Sequence, residues 1–144
     1  MDFFIALIFG HLFGDFVCQT RWMAVNKSAS SSKCFTHVMI YMCCIVAFTR
    51  VTNIYWLLFV FTTHFLIDRY TLGDKWLHLI QGRSLKDFME NGSKNIPFNQ
   101  DRLDFTANYH TLRGGFTALC YAVVDNTFHL TLQYYSWILI RGLS

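Results

Sequence analysis

Four apolar stretches, at 3–19, 35–48, 53–67 and 116–140, alternate with polar and charged segments along this chain of 144 residues. Their apolar residues run on with little interruption rather than alternating strictly with polar ones, which favours helices over half-buried strands. The third stretch is rich in Phe, Leu and Thr and would pass for a strand in isolation. Its continuity with His64 and Asp68 favours a helix. A membrane-crossing helix needs about 17 to 25 residues, so the second and third stretches are short unless their ends extend, and the fourth has length to spare. The pattern predicts an all-α fold: a polytopic membrane helical bundle of about four transmembrane helices. A cytoplasmic insertion at 69–113, with short amphipathic helices, completes a single membrane domain over 1–144.

Composition supports that expectation. The chain is 53% hydrophobic and 18% aromatic but only 15% charged, against about 25% charged in soluble domains. The first stretch lacks a basic start and carries Asp2, His11 and Asp15, so it reads as a retained span rather than a cleaved signal. Lys and Arg concentrate at 20–33 and at 69–113. The positive-inside rule then makes both of those segments cytoplasmic and puts both termini outside. Five cysteines, an odd number without CxxC spacing, behave as small apolar residues rather than as a disulfide framework or thiolate zinc site. A net charge of +3, with scattered basic residues, gives no nucleic-acid footprint.

Within the insertion, 74–80 is amphipathic and suited to a membrane surface. Ser84 opens a short capped helix that Asn91 and Gly92 end. Tyr109 and His110, beside Arg113, Gly114 and Gly115, are placed to form a lid, and His78 reads as an exposed residue.

The chemistry lies elsewhere. His11/Asp15, His64/Asp68 and Asp125/His129 are each four residues apart inside apolar stretches, so on a helix each pair projects from one face, one turn apart. With a rise of about 1.5 Å per residue, all six fall in one band, about 9 to 22 Å below the outer face. Ionisable groups in apolar surroundings are costly and mark function. Mixed His and carboxylate donors suit Zn most, with Mn or Fe as alternatives, rather than Ca or Cu. Three His and three Asp exceed what one tetrahedral catalytic zinc takes. Either two divalent ions bind, or a carboxylate, Asp68 or Asp125, serves as catalytic base. Gln19, Lys27, His37 and Asn126 are assigned to a surrounding shell or to substrate contact. Gly10 and Gly14 form a GxxxG pattern beside the first pair, a signature of close helix packing.

The motif from His11 through Asp15 to Gln19, with Trp22, Met23, Ala24, Lys27 and His37, then His64 to Asp68 and Asp125 to His129, resembles a domain-of-unknown-function family. Its members are small integral membrane proteins of bacteria and their phages. The resemblance covers most of 8–68 and 121–132. The family has Gln where this chain has Asn126, which retains an amide. A looser similarity is to membrane-bound metal-dependent hydrolases. Together these imply a multi-pass protein of the bacterial inner membrane, in contact with membrane lipids, that hydrolyses a phosphoester or lipid-linked substrate. The alternative is a phage-type interaction or exclusion protein that engages a host membrane protein, its His/Asp cluster structural. Ion conduction through the His and Asp residues would require a homo-oligomer.

Overall fold

The computed structural model describes residues 2–82, 84–85 and 103–142, with the side chains of 103–113 excepted. Of the expected helix at 84–90, residues 86–90 lie outside the described residues, as do the side chains of the lid expected at 109–110. Every regular element described is helical. They are α1 (Phe3–Leu12), a π-helical turn (Phe13–Val17), α2 (Arg21–Asn26), α3 (Ser31–Thr49), α4 (Ile54–Tyr70), α5 (Leu72–Gln81) and α6 (Leu103–Gly142).

Local chemistry sets the boundaries. Asp2 accepts a hydrogen bond from the backbone N–H of Phe4 at 2.8 Å and starts α1. Asn53 accepts from Tyr55 and Trp56, both at 3.1 Å, and starts α4. Each cap satisfies amide protons that have no partner within the helix. At the other ends, Arg50 (φ 55°) and Thr71 (φ 49°) adopt the left-handed conformation that terminates α3 and α4.

The chain forms two compact units, Met1–Thr71 with Thr127–Ser144, and Leu72–Asn126. In the first, α3 packs against α1, the π-turn, α2 and α4. Leu7, Tyr41, Ile45, Val51, Trp56 and Val60 make its core, with Phe3, Tyr134 and Trp137 packed against them. Gly10 allows α1 to come close to α3: a Cβ there would lie 3.3 Å from the Ile45 backbone. Arg69, at the end of α4, donates to the Ser28 carbonyl and to the Ser31 hydroxyl, tying α4 to the start of α3. In the second unit, Asp74 accepts from Ser84 Oγ and from the Leu85 amide, at 2.8 and 2.7 Å. There α5 buries Gly73 and Leu77 and exposes Trp76, Leu79 and Ile80.

The all-helical expectation holds, but the four-span membrane bundle does not. Among the described residues only α3, with 19 residues, is long and apolar enough to cross a membrane, and this rests on length and composition. The physical reasons differ by stretch. The helix from Phe3 to Val17 is apolar but short, spanning about 22 Å of an apolar layer about 30 Å thick. Helix α4 has 17 residues and carries His64, Asp68 and Arg69. The 116–140 stretch lies within the 40-residue α6, but Asp125, Asn126, His129 and Gln133 dilute its hydropathy. In α4 and α6 the polar pairs that single the stretches out also lower their hydropathy, whereas the first stretch fails on length alone. The multi-pass topology with both termini outside falls with the four crossings.

Candidate metal centre

Five helical segments of the first unit, α1, the π-turn, α3, α4 and the end of α6, bring histidines and carboxylates together. In α4 the regular 3.6-residue turn stacks His64 and Asp68, whose Nε2 and Oδ2 are 3.3 Å apart. In α1 and the π-turn, His11 Nε2 and Asp15 Oδ2 are 3.5 Å apart. The wider register of the π-turn, closed by the Cys18 amide on the Phe13 carbonyl at 2.8 Å, redirects Asp15 so that its second oxygen faces α3 and α4. His37 of α3 completes the set. Its Nε2 lies 3.2 Å from Asp15 Oδ1, 3.1 Å from Asp68 Oδ2 and 3.3 Å from His64 Nε2. His64 Nε2 is also 3.4 Å from Asp15 Oδ1.

These separations have a simple reading. Donors bound at about 2.0 Å to one tetrahedral ion are about 3.3 Å from each other. The two imidazole nitrogens with either carboxylate oxygen match that spacing. Although the separations are short enough for ion pairs, Asp15 Oδ1 and Asp68 Oδ2 are buried and receive no hydrogen bond of proper direction. Buried oxygens without directed donors are costly, and a cation among them removes the cost. The donor set therefore fits a divalent metal.

Charge points the same way. Burial raises the Asp15 and Asp68 carboxyls, but the charge of His64 and the close approach of His37 and His64 outweigh it and hold both well below the usual carboxylate range. Burial lowers His64, but Asp15 and Asp68 outweigh it and bring it up to about 9. Two buried carboxylates thus hold positive charge between them, supplied by a proton on His64 or by a cation. His129 is pushed down to about 3 by burial and by His64.

Three groups of ligand atoms, each within 4.8 Å of one another, emerge: His11, Asp15 and His129; Asp15, His37 and His64; and His64, Asp68 and His129. All six residues belong to the first unit, and all but Asp15 are fully or almost fully buried. Asp125 belongs to the second unit, where it is buried beside Gly73; a Cβ at Gly73 would lie 2.8 Å from its Oδ1. Asn126 donates to the Ala122 carbonyl of its own helix at 2.6 Å. Lys27 Nζ pairs with Asp68 Oδ1 at 2.9 Å, leaving Oδ2 to the histidines. The Gln19 amide nitrogen is 3.2 Å from His37 Nε2. His78 is exposed on α5.

Two participants were not singled out from the sequence. The Tyr41 hydroxyl is 2.9 Å from His11 Nδ1 and donates to Gln133 Oε1 at 2.9 Å, and Gln133 Nε2 donates back to it at 2.8 Å. The signal was present: Tyr41 follows His37, and Gln133 follows His129, by four residues. Such partners fix the orientation of metal-ligating histidines.

No curated protein and no solved structure matches the chain. A family does match, over residues 3–92. The matched stretch contains His11, Asp15, Gln19, Lys27, His37, His64 and Asp68, and ends before Asp125 and His129. It runs through α5, beyond the 8–68 that carry the family resemblance, and does not reach 121–132. On that match the chain belongs to the family described as protein of unknown function, DUF3307.

Proposed function

We propose that this protein is a metal-dependent hydrolase of a phosphoester or lipid-linked substrate, holding a divalent ion, Zn first and Mn or Fe next, between α3, α4 and the π-turn. The observation that carries this reading is the spacing of His37 Nε2, His64 Nε2, Asp15 Oδ1 and Asp68 Oδ2, at 3.1 to 3.4 Å in each measured pair. A bound ion of this kind polarises an ester oxygen and makes water acidic enough to attack near neutral pH. The chain's own groups supply the rest. His37 and His64 give neutral nitrogen donors, Asp15 and Asp68 balance the charge, and Lys27 keeps Asp68 oriented. Lys27 is also a cation held at the edge of the cluster that could receive an anionic substrate. Attachment to the bacterial cytoplasmic membrane through α3, whose outward face carries Phe35 and Met39, would give access to lipid-linked substrates.

A second reading has its own support. The Lys27–Asp68 ion pair and the Gln19–His37 contact lock the bundle without any metal, as a phage-type interaction or exclusion protein would require. Elemental analysis of detergent-purified protein separates the two. The hydrolase reading expects at least one equivalent of Zn, Mn or Fe in the wild type, and one fewer in a folded His64→Ala/Asp68→Ala variant. Absence of metal from both, after reconstitution with excess ions, would sink it and direct attention to capture of a membrane partner.

A further inference from the structure

Resting on that reading, we infer that the centre takes two divalent ions rather than one. Asp15 is the carboxylate between them, and His11 is prepared for the second by Tyr41 and Gln133.

The first observation is the division of the Asp15 oxygens. Oδ1 faces His37 and His64 at 3.2 and 3.4 Å, whereas Oδ2 faces His11 at 3.5 Å. One carboxylate is committed to two different histidine sets. His129 joins His11 and Asp15 in a group of ligand atoms within 4.8 Å of one another, and all three are buried or nearly so. The second set therefore offers three donors, two imidazoles and an Asp15 oxygen, with His129 also within reach of His64 and Asp68; three is the number a catalytic site offers before solvent or substrate completes it.

The second observation is the protonation of His11, which the geometry decides. The Tyr41 hydroxyl has one proton and three neighbours: His11 Nδ1 at 2.9 Å, Gln133 Oε1 at 2.9 Å and Gln133 Nε2 at 2.8 Å. If the proton went to His11, hydroxyl and amide oxygens would face each other at 2.9 Å with no hydrogen between them. Given to Oε1, it satisfies that atom, and the hydroxyl accepts from both Nε2–H and His11 Nδ1–H. Turning the amide over exchanges the two atoms and leaves the result unchanged. Gln133 is fully buried, and its backbone carbonyl receives the Trp56 indole N–H at 3.0 Å. His11 is thereby fixed with its proton on Nδ1 and a lone pair on Nε2, the atom that faces Asp15. A histidine serving only as a hydrogen-bonded spacer needs no such relay; a metal ligand does.

Charge then narrows the substrate class. Two divalent ions bring four positive charges against the two carboxylates of Asp15 and Asp68, with Lys27 adding another. A centre of that balance draws an anion, and paired ions are suited to in-line displacement at phosphorus. The phosphoester half of the proposed substrate class is favoured over neutral lipid esters.

The test is metal stoichiometry of the full chain loaded with Mn2+ alone, followed by electron paramagnetic resonance. The wild type is expected to bind two equivalents with a spin-coupled spectrum. His11→Ala is expected to bind one, with the hyperfine pattern of an isolated ion. Tyr41→Phe keeps the aromatic ring and removes only the hydroxyl. It is expected to weaken the second equivalent by about 10- to 100-fold and leave the first unchanged, and it decides the matter if His11→Ala does not fold. One equivalent in the wild type, lost in His64→Ala/Asp68→Ala, would overturn this inference and leave the hydrolase reading standing. Two equivalents retained in both His11→Ala and Tyr41→Phe would overturn it as well. No bound metal in the wild type would overturn both.

Discussion

The pairs His11/Asp15 and His64/Asp68 have the same residues, the same order and the same spacing, yet they do different things. In α4 the helix is regular, and Asp68 divides itself between Lys27, through Oδ1, and the histidines, through Oδ2. In the π-turn Asp15 gives both oxygens to histidines. One carboxylate is half neutralised by the protein's own lysine; the other is wholly available to ions. Spacing in sequence thus establishes that two groups share a face, and helix type establishes where each oxygen points. A π-turn is rare and concentrates at functional sites, and here it turns an ordinary pair into a bridge.

The sharpest way to break this comparison is to neutralise each carboxylate in turn. Asp15→Asn is expected to abolish binding of both equivalents, whereas Asp68→Asn removes only the ion shared with His37 and His64. Equal losses, read by elemental analysis, would show that the two carboxylates do the same work. Next in size is Lys27→Met, which leaves the buried Asp68 without its partner. Loss of one member of a buried pair costs about 3 to 5 kcal/mol, and this is expected in denaturation of the metal-free protein. Saturation with Zn2+ should recover much of it, because the ion supplies the missing charge; an equal deficit with and without Zn2+ would place the ion elsewhere. Gly14→Ala acts on the π-turn side alone. Its Cβ would lie 2.5 Å from Tyr41 Cδ2, and overpacking of this kind costs about 1 to 3 kcal/mol, to be read as a lowered thermal midpoint. Smallest is Asn53→Ala at the start of α4, expected to cost about 1 kcal/mol through loss of a helix cap with metal content unchanged.

Much of this was open to reading in the chain itself, and the limits are physical. Unbroken apolar runs marked α1, α3, α4 and the later part of α6 as helices. Turn spacing marked His11, Asp15, His64, Asp68 and His129, which the fold brings within reach of one another. Asp125, the remaining member of those pairs, is buried beside Gly73 in the second unit. His37 stands apart in the sequence because it falls about two turns nearer the inner end of its stretch than the pairs do; its carboxylate neighbours come from the π-turn and α4, which only tertiary packing supplies. The π-turn left no mark in composition, because it differs from an α-turn by a single hydrogen-bond register. Apolar runs read as spans, although among the described residues only α3 has both the length and the hydropathy. An apolar helix says that something covers it, and a neighbouring helix serves as well as lipid.

Gly14 sits where the Tyr41 ring passes nearest to the π-turn. Its contribution is a hydrogen in place of a methyl group, and that imposes an order on change. A lineage of this chain can replace Tyr41 by a smaller residue first and then fill position 14, or keep both, but it cannot fill position 14 first without displacing the ring that orients His11. The history open to the centre is thus constrained by a residue that holds no ligand atom, and two positions 27 residues apart should be found to vary together.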